Sequence, residues 1–178
     1  MSDARSRILA RLAQSRRDEI QLPAPLQELT TYDDPRGKFA EVLTSVGGLP
    51  LDVADLASAR ERIAELPVVR QARAVVSHIP ELLASTAGME RIADPRQLAH
   101  VDLAVCPGEF WVAENGAVWV TDRRIEHRVL LFLAQHLILV VPGDAYVHHM
   151  HDAYRRIGRI DHSFGGFISG PSKTADIE

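Results

Sequence analysis

Short apolar runs alternate with amphipathic segments along most of this chain. Apolar runs typical of strands occur at 49–53, 72–78, 101–106 and 136–141, of which the last two are typical of buried strands, and a strand-like segment follows at 164–169. Segments with helical spacing of their apolar residues occur at 34–46, 56–66 and 146–157, and Pro80 opens a further one. Strands that alternate with helices predict an α/β fold, in which a largely parallel sheet is covered by helices on both faces.

The N-terminal part of the chain has a different pattern. Residues 3–17 have helical spacing, and Ser2 is in position to cap that helix. Residues 18–33 contain two prolines and no clear periodicity, which predicts an extended arm. We therefore expect a helix and arm over 1–33 and an α/β domain over 34–178. Such an arm suits packing across another subunit of a homo-oligomer, and a loosely attached terminus is the alternative.

Composition narrows the class of protein. A chain of 178 residues fits one domain, and 46% hydrophobic with 25% charged residues is typical of a globular protein. The net charge of −4 gives no electrostatic reason to expect nucleic acid or anionic lipid as a partner. The single cysteine, Cys106, excludes an intrachain disulfide and an iron–sulfur cluster held by this chain's own cysteines. We expect no cofactor bound by this chain alone.

The sequence predicts no targeting segment and no membrane span. The N-terminus is charged, and the most apolar run, 129–141, is interrupted by Gln135 and His136 and is too short to span a bilayer. A cytoplasmic location is therefore expected. The chain stops in what the pattern predicts to be the first turn of a helix, so we expect a C-terminal portion to be missing.

The strongest candidate for chemistry is the turn that begins at Gly170. It follows a predicted strand and precedes a predicted helix, so its backbone N–H groups form a ready site for an anion. Ser172 and Thr174 would add hydroxyl donors, and Lys173 would add a positive charge. In the alternative interpretation, Ser172 or Thr174 only caps the helix, whose dipole Asp176 complements.

A second candidate lies between Trp111 and Thr121, where two short strand-like pieces flank Glu114-Asn115-Gly116. Asn-Gly is the commonest tight-turn pair, so a β-hairpin is one interpretation. In the other, Glu114 presents its carboxylate in a cleft at the end of a strand.

Three segments carry a resemblance to a known family. The last nine residues, Gly-Pro-Ser-Lys-Thr-Ala-Asp-Ile-Glu, closely resemble the signature of the lactate-utilisation protein C (LutC/YkgG) family, whose module is the LUD domain. The segment 113–118 resembles that family's Ala-Glu-Thr-Gly-Thr, and 131–141 resembles its Leu-Pro-x-x-His-Ile/Leu. This sequence departs from the family at Asn115, where threonine is usual, and at Ala134, where proline is common. It also lacks the family's Val-x-Gly-x-His-Gly-Pro segment.

The resemblance implies a fold and a pathway. The fold would be the Rossmann-like sheet of sugar-phosphate isomerases and CoA transferases (NagB/RpiA/CoA transferase type). The protein would be a component of a system that oxidises L-lactate to pyruvate, and its partners would be two iron–sulfur lactate-utilisation proteins (LutA-like and LutB-like) that carry the clusters. The residues expected to bind a small anionic ligand belong to the matched segments: Asn115, Gly116, His136, Gly170, Pro171, Ser172, Lys173, Thr174 and Asp176.

The resemblance also leaves two other functions open. Class I CoA transferases of this fold use the glutamate of a Glu-Asn-Gly tripeptide as a nucleophile, which forms an acyl anhydride and then a thioester. Glu114 would then be the catalytic residue of an independent transferase. The third hypothesis is a scaffold or regulatory subunit without a catalytic site.

The remaining candidates are histidines and the cysteine. If 146–157 is one helix, then His148, His151 and Asp152 share a face, which suits either a metal site or a solvated or subunit-facing surface. Metal sites usually need a further ligand from elsewhere, so we assign no metal ligand. Cys106 ends a predicted buried strand, and with no histidine close in sequence it is expected to pack as a small apolar side chain. Arg128 is expected at the surface or near an anionic substrate.

Overall fold

The computed structural model describes residues 2–14, 29–86, 94–159 and 161–171. Helices in these parts are α1 (Ser2–Gln14), α2 (Pro35–Ser45), α3 (Leu56–Ala64), α4 (Pro67–Gln71), α5 (Leu130–Leu133) and α6 (Met150–Ile157). Two 3₁₀ helices span Pro95–His100 and Asp122–Arg124. The strands are β1 (Val75–Ser77), β2 (Leu103–Pro107), β3 (Phe110–Val112), β4 (Ala117–Thr121), β5 (His136–Val140), β6 (Tyr146–Val147) and β7 (Gly165–Ile168). The protein is thus a mixed α/β fold, as its pattern predicts.

The described strands form two sheets. One has the order β1-β2-β5, and both of its pairs are parallel. The other has the order β6-β3-β4-β7, in which β4 is antiparallel to both of its neighbours and β3 is parallel to β6. The parallel sheet agrees with the expectation from alternating strands and helices. The mixed sheet was not expected, and it arises because a four-residue turn joins β3 to β4, which permits only antiparallel pairing.

Successive side chains of β2 point to opposite faces of the parallel sheet, as in any β-strand. On β2, Leu103 and Val105 pack against Ala59 and Ile63 of α3 on one face. On the other face, Ala104 and Cys106 of β2 pack against the first 3₁₀ helix, α5 and the mixed sheet. These elements contribute Leu98, Leu130, Trp111 and Val118 to the same cluster. The central strand, β2, is therefore buried on both faces, whereas β5 at the edge is half-buried. A third cluster, which includes Phe110, Trp119 and Ala153, joins the far face of the mixed sheet to α6.

Helix α2 begins and ends where its local signals predict. The side chain of Asp34 accepts a hydrogen bond from the Gly37 N–H at 2.9 Å, and Pro35 occupies the first turn. At the other end, the Gly47 and Gly48 N–H groups donate to carbonyls of the last turn of α2. Similarly, α3 is capped by Asp55, whose carboxylate accepts from the Ser58 N–H at 2.7 Å.

Three predicted elements are wrong in the described residues. The run 49–53 is not a strand, although Leu51 and Val53 pack against the core, because its backbone joins neither sheet. Pro80 opens only a turn over the described residues up to 86, in which Leu82 and Leu83 N–H groups donate to the Ile79 carbonyl. The predicted helix over 146–157 is instead a short strand, β6, followed by α6.

At the N-terminus, α1 agrees with the predicted helix as far as residue 14. Residues 15–28, which include the end of that helix and most of the predicted arm, lie outside the described residues. The arm and the boundary at 33 stay predictions. None of the described helices is both long and apolar enough to cross a membrane.

Candidate functional site

The Glu114-Asn115-Gly116 segment forms the turn of a β-hairpin. Strands β3 and β4 pair antiparallel on either side of it, with Val112 opposite Ala117. The Asn115 side-chain oxygen accepts a hydrogen bond from the Ala117 N–H at 3.2 Å, and Gly116 has a φ of 63°. The hairpin interpretation is confirmed. It does not by itself decide the role of Glu114, whose half-buried side chain lies at this turn.

The carboxylate of Glu114 binds the start of α6. Its Oε1 atom accepts a hydrogen bond from the Met150 N–H at 2.6 Å, and the Glu114 N–H donates to the His148 carbonyl at 3.0 Å. Met150 is the first residue of α6, whose early N–H groups have no partner within the helix. Glu114 thus does what a structural glutamate would do in this turn: it satisfies a backbone donor and places a negative charge at a helix N-terminus.

The Gly170 turn lies directly beside this hairpin. Strand β7 pairs with β4, and Ile168 is opposite Val118. Beyond Ile168, the Ser169 hydroxyl donates to the Asn115 carbonyl at 2.8 Å. The structure therefore brings together two of the segments that sequence analysis selected separately, represented here by Asn115 and Gly170.

Only the start of the Gly170–Glu178 segment can be described. Gly170 has a φ of 67°, which is the left-handed conformation expected at a tight turn, and Pro171 is exposed. Ser172, Lys173, Thr174 and Asp176 lie outside the described residues. The anion site that they would complete stays a prediction.

His136 does not join these residues. It is the first residue of β5, paired with Leu103 at the start of β2. The hairpin follows the opposite, carboxyl end of β2, where the Gly108 N–H donates to the Val140 carbonyl at 2.7 Å. Since His136 and Val140 are at opposite ends of one strand, the structure gives no support for His136 as part of this site.

The predicted histidine face on 146–157 is not formed, because His148 and His149 precede α6. His148 Nδ1 accepts a hydrogen bond from the Tyr32 N–H at 3.1 Å. His149 is the N-cap of α6, and its Nδ1 accepts from the Asp152 N–H at 3.3 Å. These imidazoles are used as backbone acceptors. Within the described ranges, no group of three or more His, Cys, Asp or Glu side chains is placed to hold a metal ion.

Cys106 and His78 form a contact that the sequence did not predict. The Sγ atom of Cys106 lies 3.7 Å from His78 Nδ1, while His78 Nε2 accepts from the Glu126 N–H at 3.3 Å. Burial raises the pKa of the Cys106 thiol to about 12, so the thiol stays protonated and unreactive. Burial also lowers the pKa of His78, which favours the neutral imidazole that this bonding requires. The sequence contained the information needed to predict this contact. His78 and Cys106 end two consecutive apolar runs, which form β1 and β2, and the carboxyl ends of neighbouring parallel strands lie at the same edge of a sheet.

The loop that contains Glu126 also borders an open cleft. The lining residues are Pro95, Asp122, Ile125, Glu126, His127, Arg128, Val129 and Ser163. Arg128 is exposed, and its guanidinium lies 5.7 Å from the centre of the Phe164 ring. Acidic and basic groups are mixed along this cleft, so its charge favours no one class of ligand.

Comparison with known proteins decides the family. Residues 52–178, well over half of the chain, match the model of the LUD domain family. The chain belongs to the LUD domain family. A crystal structure of a DUF162 family protein from Deinococcus radiodurans has the same fold, with a TM-score of 0.57 and 19% sequence identity over 79% of this chain and 90% of that chain. None of the curated proteins matches the chain.

Membership in the LUD domain family confirms the resemblance at the level of the domain and supports a general role in lactate utilisation. The likeness to the Deinococcus protein extends to the fold alone at this level of identity. The match to the family model begins at residue 52, so α2 lies outside the part of the chain that this model matches.

Proposed function

We propose that this LUD-domain protein is the component without iron–sulfur clusters of an L-lactate oxidation system. It would act with iron–sulfur partner proteins that carry the electrons, and it would bind a small anionic ligand at the Gly170–Glu178 turn. The nature of the ligand follows from the chemistry of that turn: backbone N–H groups, two hydroxyls and one lysine all favour an oxyanion such as a carboxylate or phosphate group.

The observation that carries this proposal is the hydrogen bond from Ser169 to the Asn115 carbonyl. Ser169 directly precedes one of the two segments that most resemble the lactate-utilisation protein C family, and Asn115 lies in the other, so the bond holds two parts of the chain together that are far apart in sequence. A ligand held at the Gly170 turn would therefore also lie near the hairpin turn. Family membership supports the general role, and this adjacency supports a single site in which both segments take part.

The alternative, a transferase with Glu114 as nucleophile, is less well supported. A nucleophilic carboxylate has to be free to attack an acyl donor. In this protein Oε1 of Glu114 is bound to the Met150 N–H at 2.6 Å, and the side chain is half-buried. This arrangement supports a structural role for Glu114.

Anion binding is tested by titrating the protein with inorganic phosphate in a calorimeter. The chain has only two lysines, which gives a matched pair of variants. Lys173→Ala should weaken phosphate binding roughly tenfold, because it removes one charge-assisted contact. Lys38→Ala should leave the affinity unchanged, since Lys38 pairs with Glu41 on the surface of α2 at 3.2 Å. If both variants bind phosphate with the same affinity as the wild type, the proposed anion site at the Gly170–Glu178 turn is wrong.

Partners are tested by purifying the tagged protein from host cells grown on L-lactate. The proposal expects iron–sulfur proteins to co-purify, with their visible absorption, and to be absent from a tagged control protein of similar charge. Recovery of the protein without any iron from lactate-grown cells, under gentle conditions and over repeated preparations, would remove the partners from the proposal.

A further inference from the structure

The part of the chain before the matched LUD domain packs against both turns of the candidate site. We infer that the last turn of α2 and the residues that directly follow it, together residues 43–48, are a positioning element that holds the hairpin turn and the Gly170 turn in the geometry needed for the ligand. This inference rests on the proposed function for the identity of the ligand. The contacts that support it do not depend on the ligand.

The first contact joins α2 to the hairpin turn at Gly116. A Cβ atom built on Gly116 would lie 2.8 Å from the Leu43 backbone nitrogen and 3.1 Å from the Leu43 Cα. Distances under 3.0 Å to backbone atoms require the backbone itself to move. Only glycine therefore allows the hairpin turn to approach α2 this closely, and its φ of 63° is a second reason for glycine here.

The second contact joins α2 to the Gly170 turn. A Cβ atom on Gly170 would lie 2.7 Å from Val46 Cγ2 and 3.1 Å from the Val46 carbonyl oxygen. The next residue, Pro171, faces Gly47: a Cβ atom on Gly47 would lie 3.3 Å from Pro171 Cγ. The turns at 116 and 170 thus both rest on one end of one helix, and the Ser169–Asn115 hydrogen bond links them to each other.

Helix α2 is itself held in place by contacts away from the turns. The Phe39 ring packs edge-on against Trp111 of β3, with ring centres 5.1 Å apart. Before the helix, the Tyr32 N–H donates to His148 Nδ1, just ahead of α6. Because α2 is fixed to the mixed sheet and to the start of α6, its C-terminal end is a rigid support.

A displacement of this support would move both turns together. The consequence is that residues outside the LUD match set the affinity for the ligand, although none of them need touch it. Binding sites lose affinity when their supporting residues shift by a fraction of an ångström, since donors must lie within hydrogen-bond distance of the anion.

The test compares alanine substitutions at two glycines, both of which have a positive φ. Gly116→Ala adds a methyl group against the Leu43 backbone. Gly158→Ala is the control: its φ is 56°, but the added Cβ would meet nothing closer than 3.9 Å. We expect Gly116→Ala to weaken phosphate binding roughly tenfold and Gly158→Ala to leave it unchanged, measured by calorimetry well below both melting temperatures. Equal affinities in the two variants would overturn the inference.

Amide hydrogen exchange over residues 165–171 gives a readout that does not need the ligand. Gly116→Ala should speed exchange there, whereas Gly158→Ala should not. If Gly116→Ala does not fold, Val46→Ala removes the side chain that supports Gly170 without adding a clash, and it should have the same effect. Unchanged exchange in both α2-directed variants would overturn the inference. If wild-type protein binds no phosphate, the anion site of the proposed function fails, and exchange alone decides whether α2 positions the turn.

Discussion

Replacing Glu114 separates its structural role from a catalytic one. In Glu114→Gln the side chain keeps an oxygen that can accept from the Met150 N–H, but it loses its negative charge at the start of α6. In Glu114→Ala the acceptor is lost as well. If Glu114 is structural, stability should therefore fall in two steps, a smaller one for glutamine and a larger one for alanine.

The magnitudes follow from the single contact. A hydrogen bond to a charged group contributes about 1.5–3 kcal/mol and a neutral one about 1 kcal/mol, so Glu114→Gln should cost about 1 kcal/mol. Glu114→Ala leaves a partly buried N–H group unpaired and should cost about 2 kcal/mol. For a chain of this size, these values correspond to melting temperatures lowered by about 3 °C and about 6 °C.

Urea unfolding at neutral pH measures these steps, and Glu61→Gln is a suitable control because Glu61 is an exposed residue of α3. The control should change stability by less than about 0.5 kcal/mol. In parallel, wild-type protein is incubated with a panel of short acyl-CoAs and its intact mass is recorded, and no acyl or CoA adduct is expected. Unchanged stability in Glu114→Gln, together with an adduct on the wild type that this variant cannot form, would refute the structural role.

Other parts of the fold give three further predictions. Burial lowers the pKa of His78 from 6.5, so the unfolded chain takes up a proton at a higher pH than the native state does, and stability should fall as the pH drops below about 6.5. In urea unfolding, the midpoint should fall less with decreasing pH for His78→Gln than for the wild type. An equal fall in the two proteins would contradict this prediction. Cys106 should react with a thiol reagent only after unfolding, and rapid labelling of native protein would be inconsistent with its burial. Asp34→Ala should cost about 1 kcal/mol through loss of the α2 cap, with Asp33→Ala as the neutral control in the same unfolding assay.

Elements with a strong local signal could be predicted from the sequence. Helix α2 is an example, because Asp34 and Pro35 start the helix and the Gly47-Gly48 pair ends it through residues that are close in sequence. Strands β2 and β5 could also be predicted, since each consists almost wholly of apolar residues, although only β2 is fully buried. The alternative predictions for 114–116 included the hairpin, because Asn-Gly favours a tight turn whatever surrounds it.

An apolar pattern alone does not predict that a segment pairs with a strand. An apolar residue shows that a segment is buried, but it does not show where the backbone hydrogen bonds go. The run 49–53 buries Leu51 and Val53 without joining a sheet. At 146–157 the helical spacing is genuine only from Met150 onward, and the preceding Tyr146 and Val147 pair with β3.

The sequence selected the two segments of the candidate site but did not predict that they lie side by side. The two turns were found from their sequences, whereas their contact depends on the pairing of β4 with β7. The support from α2 was not predicted at all, since it joins Leu43 and Val46 to glycines far along the chain. Such contacts leave no periodic or local pattern, and the structure was needed to show them.

Growth of a deletion strain tests the central claim most directly. Removing the gene from its host should impair growth on L-lactate and leave growth on pyruvate intact, and a plasmid copy of the wild-type gene should restore growth on lactate. This result would place the protein before pyruvate in lactate oxidation. Normal growth of the deletion strain on L-lactate, in a genome without a second copy, would contradict the proposed function.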